Sequence, residues 1–324
     1  MKFVTYYDLN NDIIKNIHKI PRDIDLIVGI PRSGLLVANM IALYLNKPLA
    51  DIDSYIEGKI FAVGNTKNTE SIVKDFKDVK RVLIIDDSVD SGKSILEAKQ
   101  KLSRLDSEKE QVFLSVYIRS NAKKKVDIYF KVIDEDRIFE WNYMHHGLLQ
   151  SSCLDIDGVL CVDPTSQQND DGEKYIEFIK GATPKLVPSR KVGYLVTSRL
   201  EKYRKETEEW LHQNGIEYKK LYMMNVETAE ERRKLGNHAR FKAEVYKKLK
   251  DADLFIESEP KQAMEISDIS GKLVFCTDNQ LCYSENICHR FKNKFREKYL
   301  RKIKKTLKKI IPKNVIDLYR KMKR

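Results

Sequence analysis

The chain has 324 residues, a length that suits two domains. Of these residues 42% are hydrophobic and 33% are charged, a composition typical of a folded protein rather than a disordered one. No apolar run approaches the roughly 20 residues that a bilayer-spanning helix needs, so we expect no such helix. The first residues lack the basic, apolar and small-residue order of a signal peptide. We therefore expect the protein to stay in the cytoplasm.

The net charge of +12 is concentrated at one end of the chain. Residues 290–324 hold 16 Lys and Arg against two acids, so this tail carries +14 and the rest of the chain carries −2. Apolar residues recur in it at steps of three or four among lysines, which predicts a basic amphipathic helix. We expect the helix to bind an anionic membrane surface; nucleic acid and a protein docking surface are the alternatives.

Five cysteines form an odd set without a C-x-x-C pair. This pattern favours free thiols in a reducing compartment over a disulfide framework or a zinc site.

The first half of the chain alternates between short apolar runs and helical patterns. Predicted strands cover residues 24–30, 81–87, 111–118 and 127–133, and predicted helices cover 33–45 and 91–102. This βαβ order predicts a parallel sheet whose ligand-binding loops follow the carboxyl ends of the strands.

A second alternation of strands and helices begins near residue 151. Its predicted strands start at residues 151, 192, 252 and 272, and its predicted helices cover 201–215 and 239–249. The predicted fold class is α/β, with two Rossmann-like parallel-sheet domains in tandem and a helical tail. The expected domain bounds are 1–149, 150–289 and 290–324.

The segment "VLIIDDSVDSGKS" ends an apolar strand with two adjacent acids, Asp86 and Asp87. Two neighbouring carboxylates can hold the two hydroxyls of a vicinal diol, directly or through Mg²⁺. The loop that follows opens a helix, where backbone N–H groups can bind a phosphate. A diol and a phosphate at this spacing describe a ribose 5-phosphate.

This segment resembles the signature of type I phosphoribosyltransferases, which bind phosphoribosyl pyrophosphate (PRPP). The resemblance implies that Asp86 and Asp87 hold the ribose hydroxyls, as catalytic and PRPP-binding residues. The 5-phosphate would be bound by the five loop residues Asp90, Ser91, Gly92, Lys93 and Ser94.

The upstream segment "VGIPRSG" resembles the pyrophosphate loop of the same family. Arg32, Ser33 and Gly34 would receive the leaving pyrophosphate. Residues 57–71 occupy the place of the mobile catalytic loop, with Lys59 and Lys67 as candidate cations. A nucleotide P-loop is disfavoured because the first glycine of its pattern has no counterpart here.

A second acidic pair, Asp155 and Asp157, stands in "CLDIDGVLCVD" at the end of another predicted strand. This motif resembles the first motif of haloacid dehalogenase-type phosphatases. The resemblance implies that Asp155 attacks phosphorus and that Asp157 protonates the leaving oxygen and then activates water.

The later motifs of that phosphatase family follow in order. Thr197 and Ser198 in "LVTSR" and Lys242 in "HARFKAEVYKK" would hold the phosphoryl group. Glu257 and Glu259 in "ESEPKQA" join Asp155 and Asp157 as implied Mg²⁺ ligands, so that Mg²⁺ is implied in both domains. The residues between Asp163 and Lys191 are few for a large cap, which favours bulky substrates.

Three residues near the domain join are not predicted to be site residues. His145 and His146 stand together without an apparent third metal ligand, and Trp141 is interpreted as a core residue.

The two activities together predict a bifunctional enzyme that installs ribofuranose. The first domain would transfer 5-phosphoribosyl from PRPP to a glycan, and the second would remove the 5-phosphate. This pairing resembles systems of bacterial polysaccharide biosynthesis with a polyprenyl-linked acceptor, which places the protein on the inner face of the cell membrane. The alternatives are a nucleobase transferase fused to a nucleotidase and a PRPP-sensing regulator that binds nucleic acid.

Overall fold

A computed structural model describes residues 2–62, 73–103, 108–169, 171–226 and 238–284. The chain divides into two compact units, Met1–Asn142 and Tyr143–Arg324. The predicted tail, Lys67 and Cys288 lie outside the described residues, and the predictions for them stay predictions. Within the described ranges, no helix has the length and apolar content needed to span a bilayer.

The first unit contains a five-stranded sheet and a separate two-stranded sheet. The five-stranded sheet has the order β3-β2-β4-β5-β6 with every pair parallel, and β1 pairs with β7, also in parallel. The strands are β1 Lys2–Val4, β2 Leu26–Gly29, β3 Leu49–Asp51, β4 Arg81–Val89, β5 Glu110–Ile118, β6 Ile128–Val132 and β7 Arg137–Phe139. The helices are α1 Tyr6–Asn16, α2 Ser33–Leu45, α3 Ile52–Ile56 and α4 Lys93–Leu102.

Both faces of the five-stranded sheet are buried under helices. Along β4, Leu83 and Ile85 join one core cluster with residues of α1 and α2, while Val82 and Ile84 join another with residues of α3 and α4. Alternate side chains of a strand point to opposite faces, so a strand covered on both sides needs a continuous apolar run. The apolar runs of the sequence therefore predicted the central strands.

The second unit contains a six-stranded sheet of the order β10-β9-β8-β11-β12-β13. The strands are β8 Ser152–Leu154, β9 Val192–Leu200, β10 Tyr218–Met224, β11 Leu254–Glu257, β12 Leu273–Cys276 and β13 Leu281–Tyr283. The helices are α5 Glu173–Gly181, α6 Arg204–Gln213, α7 His238–Lys248 and α8 Pro260–Ser270.

The prediction of a fully parallel second sheet is wrong at its edge. β13 pairs antiparallel with β12, whereas the other neighbouring strands pair in parallel. Only residues 277–280 separate the two strands. A parallel return needs a crossover of a dozen or more residues, so this short turn forces a hairpin. The second unit is therefore an α/β fold with a mixed sheet.

The predicted element positions agree with the structure most closely at helix α2 and strand β4. Helix α2 has the predicted bounds, and β4 begins at the predicted Arg81 and continues to Val89. Helix α4 begins at Lys93 rather than Ser91, because Gly92 with a φ of +76° forms its N-cap. The four cysteines in the described ranges are free thiols, as expected.

Candidate functional sites

The adjacent acids Asp86 and Asp87 are buried near the carboxyl end of β4, with exposures of 6% and 5%. Both oxygens of Asp87 accept hydrogen bonds: the Ser33 hydroxyl donates to Oδ1 at 2.9 Å and the Trp141 indole N–H donates to Oδ2 at 2.8 Å. The backbone N–H of Asp87 donates to Oδ1 of Asp86 at 2.9 Å. These uncharged donors fix the two carboxyl groups side by side.

Burial of the pair changes its protonation. Desolvation, followed by the charge of Asp87 and a hydrogen bond to it, raises the pKa of Asp86 from 3.8 to about 8. At neutral pH Asp86 therefore keeps its proton and can donate a hydrogen bond, while Asp87 accepts. A donor beside an acceptor suits two neighbouring hydroxyl groups, and a bound cation would favour the ionised form of the pair.

A close approach of α2 to β4 places Ser33 against the acids. A Cβ on Gly34 would lie 2.7 Å from the carbonyl oxygen of Ile85 and 3.0 Å from Cα of Asp86, so a larger residue would push the helix away. Arg32, immediately before the helix, is exposed. The structure thus brings Ser33 and Gly34 to the acids and leaves the Arg32 side chain in solvent.

The predicted phosphate loop, Asp90–Ser94, follows β4 directly and leads into α4. Ser91, Lys93 and Ser94 have exposed side chains, and Asp90 forms an ion pair with Arg119 at 2.7 Å. The N-terminus of the ten-residue helix α4 lies in this loop, and helix N-termini attract anions. The loop geometry is therefore compatible with the predicted phosphate site.

Trp141, interpreted from the sequence as a core residue, does pack against the core of the first unit, but it also contacts the candidate site, which the sequence did not predict. Its ring stacks on Phe139 with centroids 4.7 Å apart, and Tyr6 packs against it at 5.8 Å. The contact with Asp87 joins residues 54 positions apart, and the local sequence holds no sign of it. Of the two candidate cations of the mobile loop, Lys59 is exposed and pairs with Glu57 at 2.7 Å, and Lys67 lies outside the described ranges.

In the second unit, one buried ammonium group binds two carboxylates. Lys242 Nζ lies 2.5 Å from Asp155 Oδ2, 2.7 Å from Glu257 Oε2 and 3.0 Å from Gln262 Oε1. Asp155 follows β8 and Glu257 ends β11, and these strands are parallel neighbours. Because carboxyl ends of parallel strands meet at one edge of a sheet, residues about a hundred positions apart converge.

The charges of this group oppose its burial. Desolvation raises the pKa of Asp155 well above its ordinary 3.8, and the charges of Glu257 and Asp157 raise it further. Lys242 offsets part of this rise, so the pKa is about 7. Burial alone would lower the pKa of Lys242, but Asp155 and Glu257 outweigh it and raise that pKa. Lys242 thus stays charged, and without it the pKa of Asp155 would lie higher still.

Arg199 holds Asp157, the second acid of the motif. Its guanidinium contacts Asp157 Oδ1 at 2.6 Å through Nη2 and both carboxylate oxygens at 3.2 Å through Nε. The Cys161 thiol lies 3.4 Å from the same Oδ1. Burial, followed by the charge of Asp157, raises the pKa of Cys161, so the thiol stays neutral and donates. Arg199 directly follows the predicted Thr197 and Ser198, and no motif of the sequence predicted a role for it.

All seven predicted phosphatase residues line one cavity of about 340 Å³. They are Asp155, Asp157, Thr197, Ser198, Lys242, Glu257 and Glu259. Asp163, Asp278 and His238 line it too and were not predicted. Burial and then the charge of Asp157 raise the pKa of Asp163, as expected where acids crowd together.

The two glutamates differ in their contacts. Glu257 is 1% exposed and reaches Lys242. Glu259 caps α8, where its oxygens accept from the backbone N–H groups of Lys261 at 3.1 Å and Gln262 at 2.9 Å. Among the described residues, no group of three or more His, Cys, Asp or Glu side chains is arranged around a point that could hold a metal ion.

Comparison with known proteins identifies the first half of the chain. The family described as Phosphoribosyl transferase domain matches residues 5–150. Orotate phosphoribosyltransferase of Sulfolobus acidocaldarius is 29% identical over 116 residues, covering 36% of this chain and 52% of that protein. Transcriptional regulator GfcR of Methanococcoides burtonii is 30% identical over 92 residues, covering 28% and 43%.

Among solved structures, purine phosphoribosyltransferase from Pyrococcus horikoshii is 24% identical, with a TM-score of 0.32 over 43% of this chain and 91% of that one. The chain spans about half the length of the curated relatives that it matches. The residues that match the family, 5–150, include Asp86 and Asp87, their partners Ser33 and Trp141, and the loop before α4. Residues 5–150 are a type I phosphoribosyltransferase domain.

Proposed function

We propose that this protein transfers the 5-phosphoribosyl group of PRPP to an acceptor and then hydrolyses the 5-phosphate of the product. The transfer rests on the family match of residues 5–150, within which the buried diacid lies between Ser33 and the loop before α4. The hydrolysis rests on the single cavity that seven predicted residues share. The orotate phosphoribosyltransferase named above is similar to the transferase half only.

In the transfer step, Asp86 and Asp87 bind the ribose hydroxyls and the loop before α4 binds the 5-phosphate. The bond from the anomeric carbon to pyrophosphate breaks, and the acceptor atom forms a bond to the same carbon and loses its proton to solvent. Arg32 is exposed at the start of α2, where its charge can stabilise the departing pyrophosphate.

In the hydrolysis step, an ionised Asp155 attacks phosphorus while the bond to the sugar oxygen breaks. Asp157, oriented by Arg199 and protonated at the start of the step, gives that oxygen its proton. A water molecule then attacks the aspartyl phosphate and loses its proton to Asp157, which releases inorganic phosphate and restores Asp155. Lys242 stabilises the negative charge throughout.

The donor set of the cavity fits Mg²⁺. This ion keeps several waters and takes one or two protein carboxylates together with substrate phosphate, so it does not need three protein acids. Asp155 would hold it together with one of the other predicted acids that line the cavity, Asp157, Glu257 or Glu259. When bound, Mg²⁺ would neutralise charge on the phosphoryl oxygens.

The acceptor is proposed to be a nucleobase, because the similar protein of Sulfolobus acidocaldarius is an orotate phosphoribosyltransferase. The second domain would then act as a nucleotidase. A glycan acceptor at a membrane is the second candidate, favoured by the +14 charge of residues 290–324.

The test is an acceptor panel with product masses. PRPP and Mg²⁺ are incubated with orotate, purine bases, pyrimidine bases or a polyprenyl-linked glycan, using the wild type and Asp155→Asn. We expect one acceptor class to gain a ribosyl group with wild type and a 5-phosphoribosyl group with the variant. PRPP binding without turnover on any acceptor would instead favour a regulator.

A further inference from the structure

The loop residues Asp90–Ser94 contain one lysine, but its side chain points along the helix. Lys93 has a side chain that is 82% exposed and lies 3.8 Å from Glu97, one turn further along α4. The negative charge of Asp90 is balanced by Arg119. A further positive charge at the turn of the loop comes from another part of the chain.

That charge belongs to Lys125. Its ammonium donates a hydrogen bond to the carbonyl oxygen of Ser91. A Cβ on Gly92 would lie 3.1 Å from Lys125 Nζ and 3.2 Å from its Cε, so the Lys125 side chain fills the space that a larger residue at position 92 would take. Lys125 is half-buried, whereas its neighbours Lys123 and Lys124 are exposed.

The backbone of Lys125 is tied to the same helix that the loop caps. Lys99 of α4 donates to the carbonyl oxygen of Lys125 at 3.0 Å, and its ammonium lies 4.6 Å from the centre of the Phe113 ring. Lys125 is therefore attached to α4 through its backbone and to the loop through its side chain. The Lys125 ammonium is therefore already positioned to contact a phosphate bound at the N-terminus of α4.

We propose that Lys125 is a direct ligand of the phosphate group that binds in the loop before α4. The inference rests on the proposed function, and it assigns to the 5-phosphate of PRPP a residue outside the loop motif. An ammonium group carries three donors, so the bond to Ser91 leaves donors for phosphate oxygens. In a hydrogen bond from this ammonium to phosphate both partners are charged, whereas a backbone N–H brings no charge of its own.

The experiment distinguishes a role of Lys125 as a phosphate ligand from a role in stabilising the loop. Lys125→Gln keeps a donor for the Ser91 carbonyl but loses the charge, and Lys124→Gln removes the same charge from an exposed neighbour. Affinities for ribose 5-phosphate and for pyrophosphate are measured by calorimetry in the presence of Mg²⁺. Pyrophosphate serves as the folding control, because its proposed site is at Arg32.

We expect Lys125→Gln to bind ribose 5-phosphate about tenfold more weakly and pyrophosphate as tightly as wild type. Lys124→Gln should match wild type for both ligands. Equal weakening by the two variants, or wild-type affinity of Lys125→Gln for ribose 5-phosphate, would overturn the proposal while leaving the transferase function intact. A wild type that binds neither ligand would overturn the proposed function itself, and the phosphate site with it.

Discussion

The two halves of the molecule each bury acidic side chains at the ends of parallel strands, but they surround these acids differently. The described contacts of Asp86 and Asp87 come from uncharged donors, namely a hydroxyl, an indole and a backbone amide. Asp155 and Glu257 instead share the charged Lys242, and Asp157 is paired with Arg199. The neighbours therefore decide what a buried acid can do.

In the first unit, uncharged neighbours leave one carboxyl protonated, which suits hydrogen bonding to sugar hydroxyls. In the second, a buried cation offsets part of the rise in the pKa of Asp155 and leaves it at about 7, so an ionised fraction that can attack phosphorus is present at neutral pH. The following predictions test that difference by changing one neighbour or one acid at a time.

The largest effect is expected from Lys242→Met. Removing the buried cation leaves Asp155 and Glu257 without their compensating charge, which costs about 3–5 kcal/mol in the free energy of unfolding. Urea denaturation measures this cost, and Lys247→Met, which removes an exposed lysine of the same helix, is the control. Adding Glu257→Gln to Lys242→Met should recover part of the loss. Equal stability of the two lysine variants would mean that the cation does not stabilise this site.

An intermediate effect is expected from Asp86→Asn, and it depends on pH. The pKa of Asp86 rises from 3.8 to about 8 on folding, so its protonated form favours the native state and that contribution is lost as the pH rises from about 4 to about 8. Asn cannot ionise. The free energy of unfolding of the variant, relative to wild type, should therefore increase by on the order of a few kcal/mol between about pH 4 and pH 9.

The matched control for this pH experiment is Asp78→Asn, which changes an exposed acid of the same unit. Its stability should follow that of wild type across the pH range. A difference between Asp86→Asn and wild type that stays constant with pH would show that Asp86 is ionised in the native state, and the contrast between the two acid sites would then disappear.

The smallest effect is expected from Trp141→Phe. The ring can still stack on Phe139, but Asp87 loses the indole donor, a bond whose removal typically costs about 1–2 kcal/mol. PRPP should therefore bind roughly tenfold more weakly, as measured by calorimetry. Trp210→Phe removes the indole that donates to the Ala182 carbonyl in the second unit, and it should leave PRPP affinity unchanged. Equal affinities of wild type and Trp141→Phe would contradict a positioning role for the indole.

Local sequence patterns predicted those helices and strands that depend on the residues within them. Helix α2 begins at Ser33 as expected, and the apolar run before Asp86 forms the central strand of the first sheet. The motifs also predicted which residues line the second cavity. Each motif follows a predicted strand, and the carboxyl ends of parallel strands meet at one edge of the sheet. The roles proposed for those residues stay predictions.

The missed features depend on contacts between distant residues or on short connections. Trp141 reaches Asp87 from just beyond β7 of the two-stranded sheet, whose three-residue strands β1 and β7 lack a distinctive pattern. The sequence alone does not place Arg199 in the core. In the structure β9 continues past Ser198, and Arg199 is buried beside Asp157. The antiparallel β13 was missed because its direction depends on a turn of four residues rather than on its own composition.

Phosphorus NMR of the reaction mixture tests the two-step account most directly. With PRPP, Mg²⁺ and the acceptor, wild type should release pyrophosphate first and inorganic phosphate afterwards. Asp155→Asn should release pyrophosphate alone and accumulate a phosphomonoester, while the double variant Asp86→Asn with Asp87→Asn should release neither from PRPP. Inorganic phosphate appearing at the wild-type rate with Asp155→Asn would contradict the assignment of the second unit, and pyrophosphate release by the double variant would contradict that of the first.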